Sequence, residues 1–87
     1  MNKQHAQTIL NEQEKLLSAI AFEELKHRFL NLSETKTIQG SDGVNYQIQI
    51  EGFWDDSSKK RLRIVIAIDD GGLRAFSPMT TDILVSP

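Results

Sequence analysis

Cysteine is absent from the 87 residues, and with it go disulfide staples, thiolate nucleophiles and cysteine-based zinc sites. Proline occurs twice and glycine five times, too little for a collagen-like, linker-like or low-complexity chain. Long apolar runs are lacking too. No stretch approaches the roughly 20 residues of a membrane-spanning helix, and the start, Met1 to His5, is polar. Neither a signal peptide nor an anchor is expected, and the expected location is the cytoplasm. A surplus of positive charge is also missing: ten Lys plus Arg stand against twelve Asp plus Glu, for a net charge of −2. That balance argues against a surface built wholly for nucleic acid. Gly-rich phosphate loops, nucleophile elbows and Walker patterns do not occur, and Gly71-Gly72 lies in a turn signal rather than before a helix.

What is present suits one small domain over residues 1–87, because 39% hydrophobic and 25% charged residues fit a single globular core and leave no material for a second. Residues 3–32 contain neither Gly nor Pro and are rich in Gln, Glu, Leu, Lys and Ala, which lose little rotamer freedom in a helix. One long helix is predicted there. From residue 35 onward the composition turns to Thr, Ile, Val and Tyr, the residues of strands.

Val44, Tyr46, Ile48 and Ile50 alternate with Asn45, Gln47, Gln49 and Glu51, the period of a strand with one dry and one wet face. Leu62, Ile64, Ile66 and Ile68 repeat the pattern. Asp42-Gly43 and Asp70-Gly71 read as two-residue hairpin turns, since both central residues of such turns need positive φ. Taken literally, the first sets Tyr46 opposite Gln39 and Ile48 opposite Thr37. The second sets Ile68 opposite Leu73, Ile66 opposite Ala75 and Val65 opposite Phe76. Ile83-Leu84-Val85 remains as a short fifth segment or a tail that pairs elsewhere. The predicted fold class is α+β: one long N-terminal α-helix packed on one face of a four-stranded antiparallel β-meander spanning residues 35–87.

The helix carries two apolar faces. Ala6, Ile9, Leu10, Leu16, Leu17 and Ile20 cluster on one side, while Phe22, Leu25, Phe29 and Leu32 lie roughly 140° away. One sheet does not cover both. A thirty-residue helix would also run about 45 Å against about 30 Å for the strands. The second group is therefore expected on the sheet, and Ile9, Leu16, Leu17 and Ile20 are expected to meet a second copy in a homodimer. The alternative is a kink near Ser18 or Ala19 that folds the first half back onto the same core.

Groups that could carry chemistry are sparse. His27 has Glu23 and Glu24 within helical reach, which one helix explains as a surface ion pair. Asp42, Asp69 and Asp70 are expected at one end of the meander, where turn aspartates ordinarily cap backbone amides, and neither a metal nor a cofactor is assigned. Lys59-Lys60-Arg61-Leu62-Arg63 beside Phe53-Trp54 combines charge with aromatics, as single-stranded nucleic acid requires. The uncovered sheet face is expected to show Gln47, Gln49, Glu51, Arg63, Val65, Ala67, Arg74 and Phe76. Arg and aromatic residues around a small apolar centre resemble the composition of protein interfaces. The expectation is thus a non-enzymatic protein-binding or regulatory protein that uses Gln47, Gln49, Arg63, Arg74 and Phe76 on that face. The competing expectation is a nucleic-acid binder using residues 59–63 and Arg74.

Overall fold

The computed structural model describes residues 3–70 and 79–87. Two helices, α1 (Lys3–Ser18) and α2 (Phe22–Phe29), precede four strands: β1 (Ser33–Gln39), β2 (Asn45–Trp54), β3 (Leu62–Asp69) and β4 (Met79–Val85). The strands form one antiparallel sheet in the order β1-β2-β3-β4. Both helices lie on the same face, α1 over β3 and β4, α2 over β2 and β3. The α+β meander with helical cover on one face is as expected.

The single helix over 3–32 is not. The backbone tightens into i→i−3 bonds at Ala19 and Ile20 (3.3 and 3.0 Å), and Ala21 is extended, with φ −63° and ψ 148°. No Gly or Pro marks the spot. The break lets Ile9, Leu10 and Leu17 of the first group and Leu25 and Phe29 of the second reach the same sheet, which a straight rod cannot do, while Leu32, expected on the sheet, lies past the end of α2 and is 55% exposed. α2 then restarts with Glu23 and Glu24 in its first turn and Lys26, His27 and Arg28 in its last, an order that suits the helix dipole.

The exit from α2 is fixed by close packing. Asn31 takes φ 56° and donates its N–H to the Gly52 carbonyl at 2.8 Å, while Leu30 bridges to Gly52 in parallel fashion. A Cβ on Gly52 would lie 3.1 Å from both the Cβ and the carbonyl oxygen of Phe29. Glycine here lets the end of α2 sit directly on β2.

The core sits between the sheet and its two helices. Tyr46, Ile48, Ile50, Leu62, Ile64, Ile66 and Ile68 are buried from below, and Ala6, Ile9, Leu10, Leu17, Leu25 and Phe29 from above. Alternation placed the two central strands correctly. The fourth strand is displaced: Ile68 pairs with Met79 rather than Leu73, Ile66 with Thr81 rather than Ala75, and Val65 with Asp82 rather than Phe76. Thr80, Thr81, Ile83 and Val85 make residues 79–85 rich in β-branched side chains, which fit a half-buried pleat.

The first hairpin shifts by one residue, so that Tyr46 faces Ile38 and Ile48 faces Lys36. Its loop has three residues instead of two. The Gly43 N–H reaches the Gly40 carbonyl at 3.0 Å and Gly43 takes φ 80°, a type I turn followed by a left-handed residue. Asp42 caps it, accepting the Val44 N–H at 3.1 Å and the Tyr46 hydroxyl at 2.7 Å. Burial, with the neighbouring Asp42 carboxylate second, pushes Tyr46 up to about 12. The Tyr46 hydrogen bond in turn holds Asp42 below the usual carboxylate range.

Because a raised phenol binds its proton more tightly when folded, this contribution is complete below the unfolded value near 10 and is lost as pH climbs toward about 12. The chain has one tyrosine, so tyrosinate absorbance reports this site alone. The expected midpoint lies near 12, falling in Asp42→Asn. An ordinary midpoint near 10 in folded wild-type protein would show that the hydrogen bond from buried Tyr46 to Asp42 does not form.

Candidate protein-binding face

Among the described residues, alternation along the strands leaves one face of the sheet without helical cover. On it lie Gln47, Gln49, Glu51 and Phe53 from β2, Arg63, Val65 and Ala67 from β3, and Thr80, Asp82 and Leu84 from β4. Gln47, Gln49 and Glu51 are exposed, while Val65 and Ala67 are half-buried. The predicted membership holds for these residues. Arg74 and Phe76 lie outside the described residues.

Register brings Phe53, Arg63 and Leu84 into one row across three strands. Phe53 is 41% and Leu84 48% exposed, so the row presents two large apolar side chains flanking a guanidinium. Arg63 is gripped from two sides. Its Nε and Nη2 donate to Asp55 Oδ1 at 2.9 and 2.7 Å, and its Nη1 donates to Asp82 Oδ2. Asp55 first and Asp82 second hold the guanidinium firmly charged. Such a clamp fixes the planar group in position and spares a ligand much of the cost of ordering it.

The sequence pattern sets Phe53 beside the basic stretch rather than on this face. Continuing the alternation from Gln49 through Glu51 reaches Phe53, so that signal was present. Asp82 and Leu84 join the face only because β4 runs from 79 to 85.

The basic stretch is partly neutralised. Asp55 also faces Arg61, at 3.7 Å, and serves as the common counter-ion of Arg61 and Arg63. Lys59 and Lys60 stay exposed in the loop. Trp54 is half-buried, its ring 6.4 Å from that of Phe22, and closes the end of the core instead of standing out as a stacking platform.

The expected dimer stripe on the first helix is largely absorbed by the chain's own core. Ile9 is 6% and Leu17 4% exposed, and Ile20 packs against the same cluster. Leu16, at 61%, remains outside. A homodimer through all four residues would require α1 to leave the sheet. The kinked alternative describes what the helix does.

Other polar groups serve local structure. Glu23 pairs with Lys26 at 3.3 Å. Arg28 makes a two-pronged contact with Glu34, at 2.6 and 2.9 Å, tying α2 to β1. His5 Nδ1 lies 3.1 Å from Ser41 Oγ, at the edge of a notch of about 150 Å³ between α1 and the first hairpin. Among the described residues no three His, Cys, Asp or Glu side chains come together as metal ligands, and no helix is long and apolar enough to cross a membrane. Comparison with family models, curated proteins and solved structures found no match.

Proposed function

We propose that the chain is a non-enzymatic protein-binding module whose open sheet face receives a protein partner. The observation that carries this reading is the row Phe53–Arg63–Leu84: two exposed apolar side chains around a guanidinium already ordered by Asp55 and Asp82. Aromatic and Arg anchors are enriched where interfaces concentrate their binding energy, and a pre-ordered anchor loses less entropy on docking. Gln47 and Gln49 supply neutral amides beside the row, suited to hydrogen bonds at a polar rim.

Affinity capture from lysate of the source cells, with wild-type protein and the double variant Phe53→Ala/Leu84→Ala as baits, tests it. Both substitutions lie on the uncovered face, so stability should move by less than about 1 kcal/mol. Wild type is expected to retain a protein that the double variant loses at least tenfold. Equal capture by both baits would remove the face from the argument. Capture of nucleic acid instead, weakened steeply by salt, would favour the loop Lys59-Lys60-Arg61.

A further inference from the structure

Among the described residues β1 and β4 form the two outer edges of the sheet. An outer strand carries a row of backbone N–H and C=O groups able to pair with another strand, and proteins blunt such edges with charges, prolines or bulges. β1 is blunted. Lys36 stands exposed on the helix-covered side, opposite buried Ile48, and Glu34 on the same side is tied to Arg28. A strand docking there would have to bury or displace these charges.

β4 carries no such guard. Its seven residues contain neither Lys, Arg nor Pro and pair with β3 without a bulge. Its single charge, Asp82, lies on the open face and is held by Arg63. On the covered side Met79, Thr81, Ile83 and Val85 are all only half-buried, because α1 reaches the edge without wrapping it. Among the described residues the edge thus offers both an unblocked backbone and an unfinished apolar row.

We infer that the outer edge of β4 pairs antiparallel with β4 of a second copy, with Ile83 on the two-fold axis, joining two sheets into one of eight strands. The strand's own sequence argues for a second copy. With Ile83 opposite Ile83, Thr81 meets Val85 of the second copy on the covered side, so β-branched side chains face one another across the seam. On the open side Asp82 of the second copy falls opposite Leu84. Arg63 is the cross-strand neighbour of Leu84, so the other copy's carboxylate ends the row Phe53–Arg63–Leu84 at about two strand spacings from the guanidinium and sets no like charges opposite one another.

The helices permit the seam. α1 packs over β3 and β4, so its axis lies about one strand spacing from the seam, and two copies lie about 10 Å apart, the ordinary separation of packed helices. The flank turned toward that gap carries Gln7 and Asn11, joined by a hydrogen bond of 2.9 Å, and Glu14, which accepts from Thr81. Edge pairing leaves Phe53, Arg63 and Leu84 uncovered, so this inference stands apart from the protein-binding reading.

Sedimentation velocity on the full chain tests it. The expected mass is twice that of one chain, falling to a single chain in Ile83→Lys, with far-UV circular dichroism confirming that the variant is folded. A cysteine substitution supplies a second arm that does not depend on Lys being tolerated, because the chain has no other thiol. Mild oxidation should cross-link Ile83→Cys to itself and leave Thr35→Cys, on the open side of β1, single. Wild-type protein that sediments as one chain overturns the inference. So does a dimer that Ile83→Cys fails to trap and that dissolves on Leu16→Asp, or recruitment to β4 of a foreign strand only.

Discussion

Replacement of Phe29 by alanine is expected to cost about 3–5 kcal/mol, the range for deleting a fully buried aromatic ring. Phe29 is completely buried, and its backbone carbonyl and Cβ press against Gly52 at the point where α2 meets β2. The ring can be lost only by leaving a cavity, since the neighbouring glycine has no side chain to move in. A domain of this size shifts its melting temperature by about 4–8 °C per kcal/mol, so a fall of roughly 12 °C or more should appear in calorimetry. That is a large fraction of a total stability of about 5–15 kcal/mol. A loss below about 1 kcal/mol would mean that α2 is not seated on the sheet as described.

Leu10→Ala should be nearly as damaging, at about 2–5 kcal/mol, whereas Leu16→Ala should change stability by no more than about 0.5 kcal/mol. The two leucines belong to the same helix and to the same stripe as read from sequence. Leu10 is 1% exposed and Leu16 61%. A first helix standing clear of the sheet would give small, similar effects for both when measured by chemical denaturation at low protein concentration. A large difference between them places α1 on its own sheet, and its absence would restore the overhanging helix.

The same comparison shows what the sequence disclosed. Tyr46, Ile48 and Ile50 on β2, and Leu62 through Ile68 on β3, alternate so cleanly that only one face could be buried, and both strands formed where alternation put them. The break between Ser18 and Phe22 left no local trace. Ala19, Ile20 and Ala21 are tolerable in a helix, and only the need to bring Leu17 and Leu25 onto one sheet interrupts it. The 140° between the two apolar groups was the available sign, and it fitted a dimer equally well. Turn chemistry misled twice. Asp42-Gly43 was read as a two-residue turn where Ser41 adds a third, and Asp70-Gly71 suggested a tight hairpin although the strand that pairs with β3 starts at Met79.

The open sheet face was half legible for the same reason. Gln47, Gln49, Arg63, Val65 and Ala67 followed from alternation in β2 and β3. Asp55 and Asp82 as the grip on Arg63 did not, because one lies at a loop entrance and the other on a strand whose register depends on the full sheet. Distance along the chain, not chemistry, hid them.

That distance has a consequence for synthesis. Glu14 of α1 and Thr81 of β4 are 67 positions apart, yet α1 spends much of its apolar face on β3 and β4. The three hairpins of the sheet close between neighbours, whereas the cover for Ile9, Leu10 and Leu17 is made last. On a translating ribosome these side chains emerge early and wait, exposed, for the final strands to be delivered. Slow elongation should therefore prolong the interval in which a nascent chain can stick to its neighbours or to a holding chaperone, and truncation before residue 79 should trap it there.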